Sequence, residues 1–96
     1  MLTGKQRRFL RSRAHHLSAV FQVGKCGVTD RLTEHLNTVL EAHELVKVNI
    51  LQSCEEDRYD VAERLATATG AELVQILGKT VVFYRRSSEK PKIELP

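Results

Sequence analysis

At 96 residues, 42% of them hydrophobic, the chain has the composition of one globular domain and no room for a second. No apolar run approaches the roughly 20 residues that span a bilayer, and the basic N-terminus lacks a signal peptide's apolar stretch, so a cytoplasmic, non-membrane protein is expected. Net charge is only +3, but residues 1–29 hold six Lys/Arg and no acid, residues 30–77 four against ten Asp/Glu, and residues 78–96 five against two.

Thr3 is placed to cap a first helix running to about His16. Leu2, Phe9, Leu10, Ala14 and Leu17 share one arc of it, while Lys5, Arg8, Arg11 and His15 fall on the other side. An amphipathic helix with a cationic outer stripe could lie on a membrane, but the strands that follow offer it a body to dock on. Ala19–Val23 reads as a short strand that stops at Gly24. Thr29 can cap a second helix, with Asp30 in its first turn and a buried stripe of Val28, Leu32, Leu36, Val39 and Leu40, ending near Ala42-His43. Leu45–Leu51 is the second strand, with Val46, Val48 and Ile50 on one side and Lys47 and Asn49 on the other. After a polar loop, Gln52–Glu56, a third helix starts near Asp57, buries Val61, Ala62, Leu65 and Ala66, and closes at Gly70. Glu72–Leu77 and Thr80–Arg85 are strands joined through Gly78-Lys79, a type II′ hairpin signal. The domain is taken as residues 1–86. Residues 87–96, SSEKPKIELP, read as a polar, loosely held tail whose Ile93 and Leu95 could dock.

The order αβαβαββ predicts an α/β (α+β) fold, a mixed four-stranded sheet packed with three helices. Two β–helix–β steps imply parallel strands, and the terminal hairpin adds an antiparallel pairing. If the basic ends meet on one face, the molecule carries a cationic surface with an acidic back, suited to an oriented polyanion.

Enzyme chemistry finds little support. Gly78-Lys79-Thr80 fails as a P-loop because Leu73 stands where a glycine is needed and a strand follows. His43-Glu44 begins like a zinc-protease helix, but Lys47 occupies the second histidine position. The four histidines lack partners at ligand spacing and read as structural or helix-terminal, His15 alone joining the cationic face. Cys26 and Cys54 match neither a disulfide framework nor a metal pattern and are expected as free thiols. Cys26 lacks a recognisable base or resolving cysteine and reads as a spacer. No catalytic residue, metal or cofactor is predicted.

The stretch that stands out is Gly24-Lys25-Cys26-Gly27, between a strand and a helix. Glycines let backbone approach a ligand, the helix aims free N–H groups and its positive end at it, and Lys25 adds a charge. Such a corner suits phosphate. A plain turn would need one glycine, which leaves the second glycine and the lysine to be explained. With no Trp and few aromatics, recognition should rest on phosphates and shape rather than stacking.

The segments LTGKQRRFLRSRAHHL, VGKCGVTDRLTEHL, HELVKVNIL and TGAELVQILGKTVVFYR, with the closing KIELP, resemble the bacterial YhbY-like proteins. These are stand-alone members of the CRM (chloroplast RNA splicing and ribosome maturation) domain group. The resemblance implies a fold similar to the C-terminal domain of translation initiation factor three and a GxxG loop compared with that of KH domains. It implies an RNA partner, 23S rRNA in precursors of the large (50S) subunit, and a role in ribosome assembly. Gly24, Lys25 and Gly27 fall in the family loop, Cys26 at its variable position, and Lys47 in the HELxKV segment. The expected RNA-contacting set is therefore Gly24, Lys25, Cys26, Gly27, Lys5, Arg8, Arg11, Arg31, Lys47 and Arg85, on a monomer. Two alternatives remain: a protein-docking adaptor for a ribosomal protein or assembly GTPase, and a mononucleotide or metabolite phosphate bound at the same corner.

Overall fold

The computed structural model describes residues 2–96. The elements are α1 (Gly4–Ala14), β1 (Phe21–Val23), α2 (Asp30–His43), β2 (Leu45–Ile50), α3 (Arg58–Thr69), β3 (Glu72–Leu77) and β4 (Thr80–Tyr84). The expected order is found, with boundaries shifted by a residue or two at the ends of α1, β1, β2 and β4.

Local chemistry accounts for the helix starts. The Thr3 hydroxyl accepts from the Gln6 N–H while the Gln6 side chain accepts from the Thr3 N–H, a reciprocal capping box. Thr29 accepts from the Leu32 N–H, and Asp57 from those of Tyr59 and Asp60. Gly70, at φ +71°, ends α3.

The sheet runs β1-β2-β4-β3. β1 pairs in parallel with β2, whereas β4 lies antiparallel to both β2 and β3. The second β–helix–β step thus gives no direct pairing. β4 turns back from β3 and takes the slot between β3 and β2. Its sequence explains the placement, because Val81, Val82, Phe83 and Tyr84 are all buried and only a central strand covered on both faces buries consecutive residues.

Each face has its own core. On one side α2 and α3 pack Leu36, Leu40, Val61 and Leu65 against Val23, Val46, Val48, Val81 and Phe83. On the other, α1 packs Leu10 and Ala14 against Leu45, Val74, Val82 and Tyr84. A register shift between Leu73 and Gln75 sits beside Val74, and Arg7 donates to the Leu73 carbonyl there at 2.6 Å.

Residues 87–96 are not loosely held. Glu44, fully buried, accepts from the N–H groups of Ser87 (2.8 Å), Lys92 (2.6 Å) and Ile93 (2.8 Å). Glu41 accepts from both hydroxyls and one amide of Ser87-Ser88. The tail so fixed lays Ile93 and Leu95 on the α1 core. Burial alone would push the Glu44 carboxyl up, but the three amides, with the Arg86 charge, outweigh it and hold the group below its ordinary value. The Ser87 and Ser88 hydroxyls do the same for Glu41.

Basic α1 and the apolar end of the tail therefore share one side of the sheet, whereas Arg85, Lys90 and Lys92 border α2 beside Glu41.

Candidate nucleic-acid interface

β1, β2 and the β3–β4 hairpin end along one rim. The Leu51 N–H donates to the Val23 carbonyl (2.8 Å) and the Ile50 N–H to the Lys79 carbonyl (2.7 Å). The Gly24–Gly27 corner continues from β1 at this rim, about 10 Å, or two strand spacings, from the hairpin backbone.

The corner is a tight turn in which the Gly27 N–H donates to the Gly24 carbonyl at 3.0 Å. Lys25 and Cys26 form its exposed tip, and among the described residues their amides make no hydrogen bond. Gly27 is buried at φ +63°, and a Cβ there would lie 1.6 Å from Oε2 of Glu56. That oxygen accepts from the Val28 N–H at 3.1 Å, and the other pairs with Arg64.

Two expectations change as a result. The second glycine has a structural reason, since it makes room for Glu56. The amides of Gly27 and Val28 are occupied, which leaves Lys25 and Cys26 as the exposed tip of the corner.

Lys5, Arg8, Arg11 and Arg31 are exposed, and neither carboxylate nor carbonyl holds them among the described residues. Arg11 and the half-buried Lys47 border a groove of ≈ 430 Å³ on the sheet face beyond the end of α1, with His15, Gln75 and Thr80. Leu77 and Thr80 carry this groove to the rim beside the hairpin, where exposed Lys79 sits. From the sequence Lys79 reads as a turn residue only. The signal available was that strands pointing the same way end on the same side.

Arg85 departs from the expected set. Its guanidinium donates to Oδ1 and the carbonyl of Asn37 (2.6 and 3.0 Å) and to the Thr69 carbonyl (2.7 Å). It clamps α2 to the end of α3 on the acidic side, half-buried, with Glu41 at 3.8 Å. Arg85→Ala should cost about 1.5 kcal/mol in urea unfolding, from lost partly buried hydrogen bonds, and leave the salt dependence of any RNA binding unchanged. A reduced salt slope without destabilisation would return Arg85 to the surface set.

His35 stacks on Phe21 with ring centroids 4.9 Å apart, His43 lies in the last turn of α2, and His15 caps α1. Among the described residues no helix is long and apolar enough to cross a membrane.

Comparison with known proteins gives a consistent set of likenesses. The model of the CRS1 / YhbY (CRM) domain matches residues 2–85. The "Probable RNA-binding protein YqeI" of Bacillus subtilis (strain 168) is 56% identical over 96 residues, the whole of both chains. A protein of Haemophilus influenzae named "RNA-binding protein" is 36% identical over 95 residues, 99% of this chain and 95% of its own. The solution structure of a Staphylococcus aureus protein, described as a candidate RNA binder, superposes with a TM-score of 0.83 at 47% identity, each chain covered completely.

Proposed function

The chain belongs to the CRS1 / YhbY (CRM) domain family, and from that membership we propose that it binds RNA as a monomeric, cytoplasmic assembly factor for the large ribosomal subunit, with 23S rRNA in 50S precursors as its target. The observation that carries the RNA reading is the segregation of charge. α1 puts the exposed Lys5, Arg8 and Arg11 on one side of the sheet, and the α2–α3 side carries Asp30, Glu56, Asp60 and Glu63 on the other. A polyanion then meets the protein in one orientation.

In this reading Lys25 and the tip amides of Lys25 and Cys26 hold phosphates at the corner, with Gly24 and Gly27 shaping the turn. Lys5, Arg8 and Arg11 extend the track along α1, Lys47 continues it onto the sheet, and Arg31 flanks the corner from α2. The contacts are to backbone, so affinity is broad across sequences and strongly salt-dependent.

The test replaces Lys25, Arg8 and Arg11 together with Gln. The slope of log affinity against log salt should shrink by about 2, at roughly 0.7 per lost single-strand contact. Unchanged RNA binding by a folded triple variant rules the track out.

A second reading draws on the acidic back, where Asp30, Glu56, Asp60 and Glu63 line a groove between α2 and α3. That surface suits a basic ribosomal protein or an assembly GTPase. A partner retained after nuclease treatment of a lysate favours docking, and one lost with the RNA favours the first reading.

A further inference from the structure

A second cleft, of ≈ 630 Å³, opens where α1 ends, the 17–20 segment crosses and the tail passes. Arg13, Lys47 and Lys92 bring positive charge to its wall, His16 and His43 add two imidazoles, and no acid lines it. The clefts at the α2–α3 side mix both signs, Glu41 and Glu89 with Arg85, Lys90 and Lys92 in one, and Asp30, Glu56, Asp60 and Glu63 with Arg64 in the other. No carboxylate pairs with Arg13, Lys47 or Lys92 among the described residues; Arg13 lies 5.7 Å over the Phe9 ring and Lys92 donates to the Ala42 carbonyl at 3.3 Å.

The floor is apolar. Leu17 and Val20, 39% and 49% exposed, are two of the few large hydrophobics left in solvent, and Leu45 and Ile93 complete the surface. Lys47 and His16 line this cleft and the Arg11 groove alike, so the two form one trough around the end of α1.

We propose that the trough holds single-stranded RNA, with one unstacked base seated on Leu17, Val20 and Ile93 and the flanking phosphates on Arg13, Lys47 and Lys92. A base offers a flat apolar face beside a charged chain, which is the pattern of this wall and floor. The cleft is of the size that encloses a small organic group. A duplex keeps its bases stacked inside and presents nothing for the floor. The proposal rests on the RNA reading above and names the form of RNA that reading leaves open.

The chain has no tryptophan, so Val20→Trp places a single reporter on the exposed floor. Its emission should be quenched by a short oligouridylate and not by an RNA duplex of equal length. Independently, Arg13→Gln with Lys92→Gln should shrink the salt slope for oligouridylate by about 1.4, two contacts' worth. If the wild-type chain binds oligouridylate, yet the reporter stays bright and the slope is unchanged, the trough assignment is overturned and the RNA reading stands. If the wild-type chain binds no RNA at all, both fall. Quenching by oligoglutamate in place of RNA overturns the assignment in favour of an acidic protein segment.

Discussion

Glu44→Ala should lower the stability of the folded chain by about 3 kcal/mol or more, the loss of several hydrogen bonds to a buried carboxylate. For a domain of this length, where the whole of ΔG is of the order of 5–14 kcal/mol, that is a large share. The amides of Ser87, Lys92 and Ile93 would lose their acceptor together. The tail would leave, and with it the cover that Ile93 and Leu95 give the α1 core. Urea unfolding reads the first effect, and trypsin cleavage after Arg86 and Lys92 the second. Backbone geometry sharpens the test, because Glu44 sits at φ +65°, the left-handed region, where a glycine commonly ends a helix. Glu44→Gly should therefore be more stable than Glu44→Ala by about 1 kcal/mol, yet still shed the tail. The carboxylate, not the backbone, is what the position requires.

The same group gives the pH dependence. Folding holds Glu44 and Glu41 below their ordinary values, so their contribution is fully present at neutral pH. It fades as pH drops below about 4.3, the unperturbed glutamate value, and through the lower folded values. Glu44→Ala should flatten that acid limb. A wild-type limb retained in the variant would locate the titration elsewhere.

Gly27→Ala should cost about 2–3 kcal/mol. A methyl group at φ +63° is strained by about 1 kcal/mol. Its carbon would also overlap Glu56, whose carboxylate must swing out and release the Val28 N–H and Arg64. Losing that charged cap adds about another 1–2 kcal/mol. In a double-mutant cycle with Glu56→Ala the two changes should fall short of additivity by about 1 kcal/mol, because the second removes what the first displaces. Additive losses would mean that the glycine and the carboxylate act separately.

Much of this fold is legible in local chemistry. Thr3, Thr29 and Asp57 cap helices through their own side chains, Gly70 and Gly78 take positive φ, and apolar spacing marks the buried stripes of α2 and α3. These signals act within four or five residues and survive in a linear reading. The missed features all join distant positions. Glu44 meets Ser87, Arg85 meets Asn37 and Glu56 meets Gly27, and none leaves a pattern at helix or strand period. One trace was available, since α2 runs straight into β2 with no glycine at its end. Some residue there had to accept an unfavourable backbone angle for a reason. At the corner, local reading supplied the exposed lysine and misread the second glycine, because the group it accommodates lies 29 positions further on. Leu17 shows the opposite failure. It continues the α1 stripe in periodicity, but the helix ends at Ala14 and leaves it in solvent.

The place of β4 between β2 and β3 has a consequence for how the chain is made. Until Thr80–Tyr84 has emerged during synthesis, β2 and β3 have no common neighbour, and Leu10 and Ala14 lack Val82 and Tyr84 to rest on. The basic amphipathic helix thus stays open to the nascent environment while most of the polypeptide is produced. Closure is a late event that waits for the hairpin to return, a high-separation pairing of the kind that slows folding.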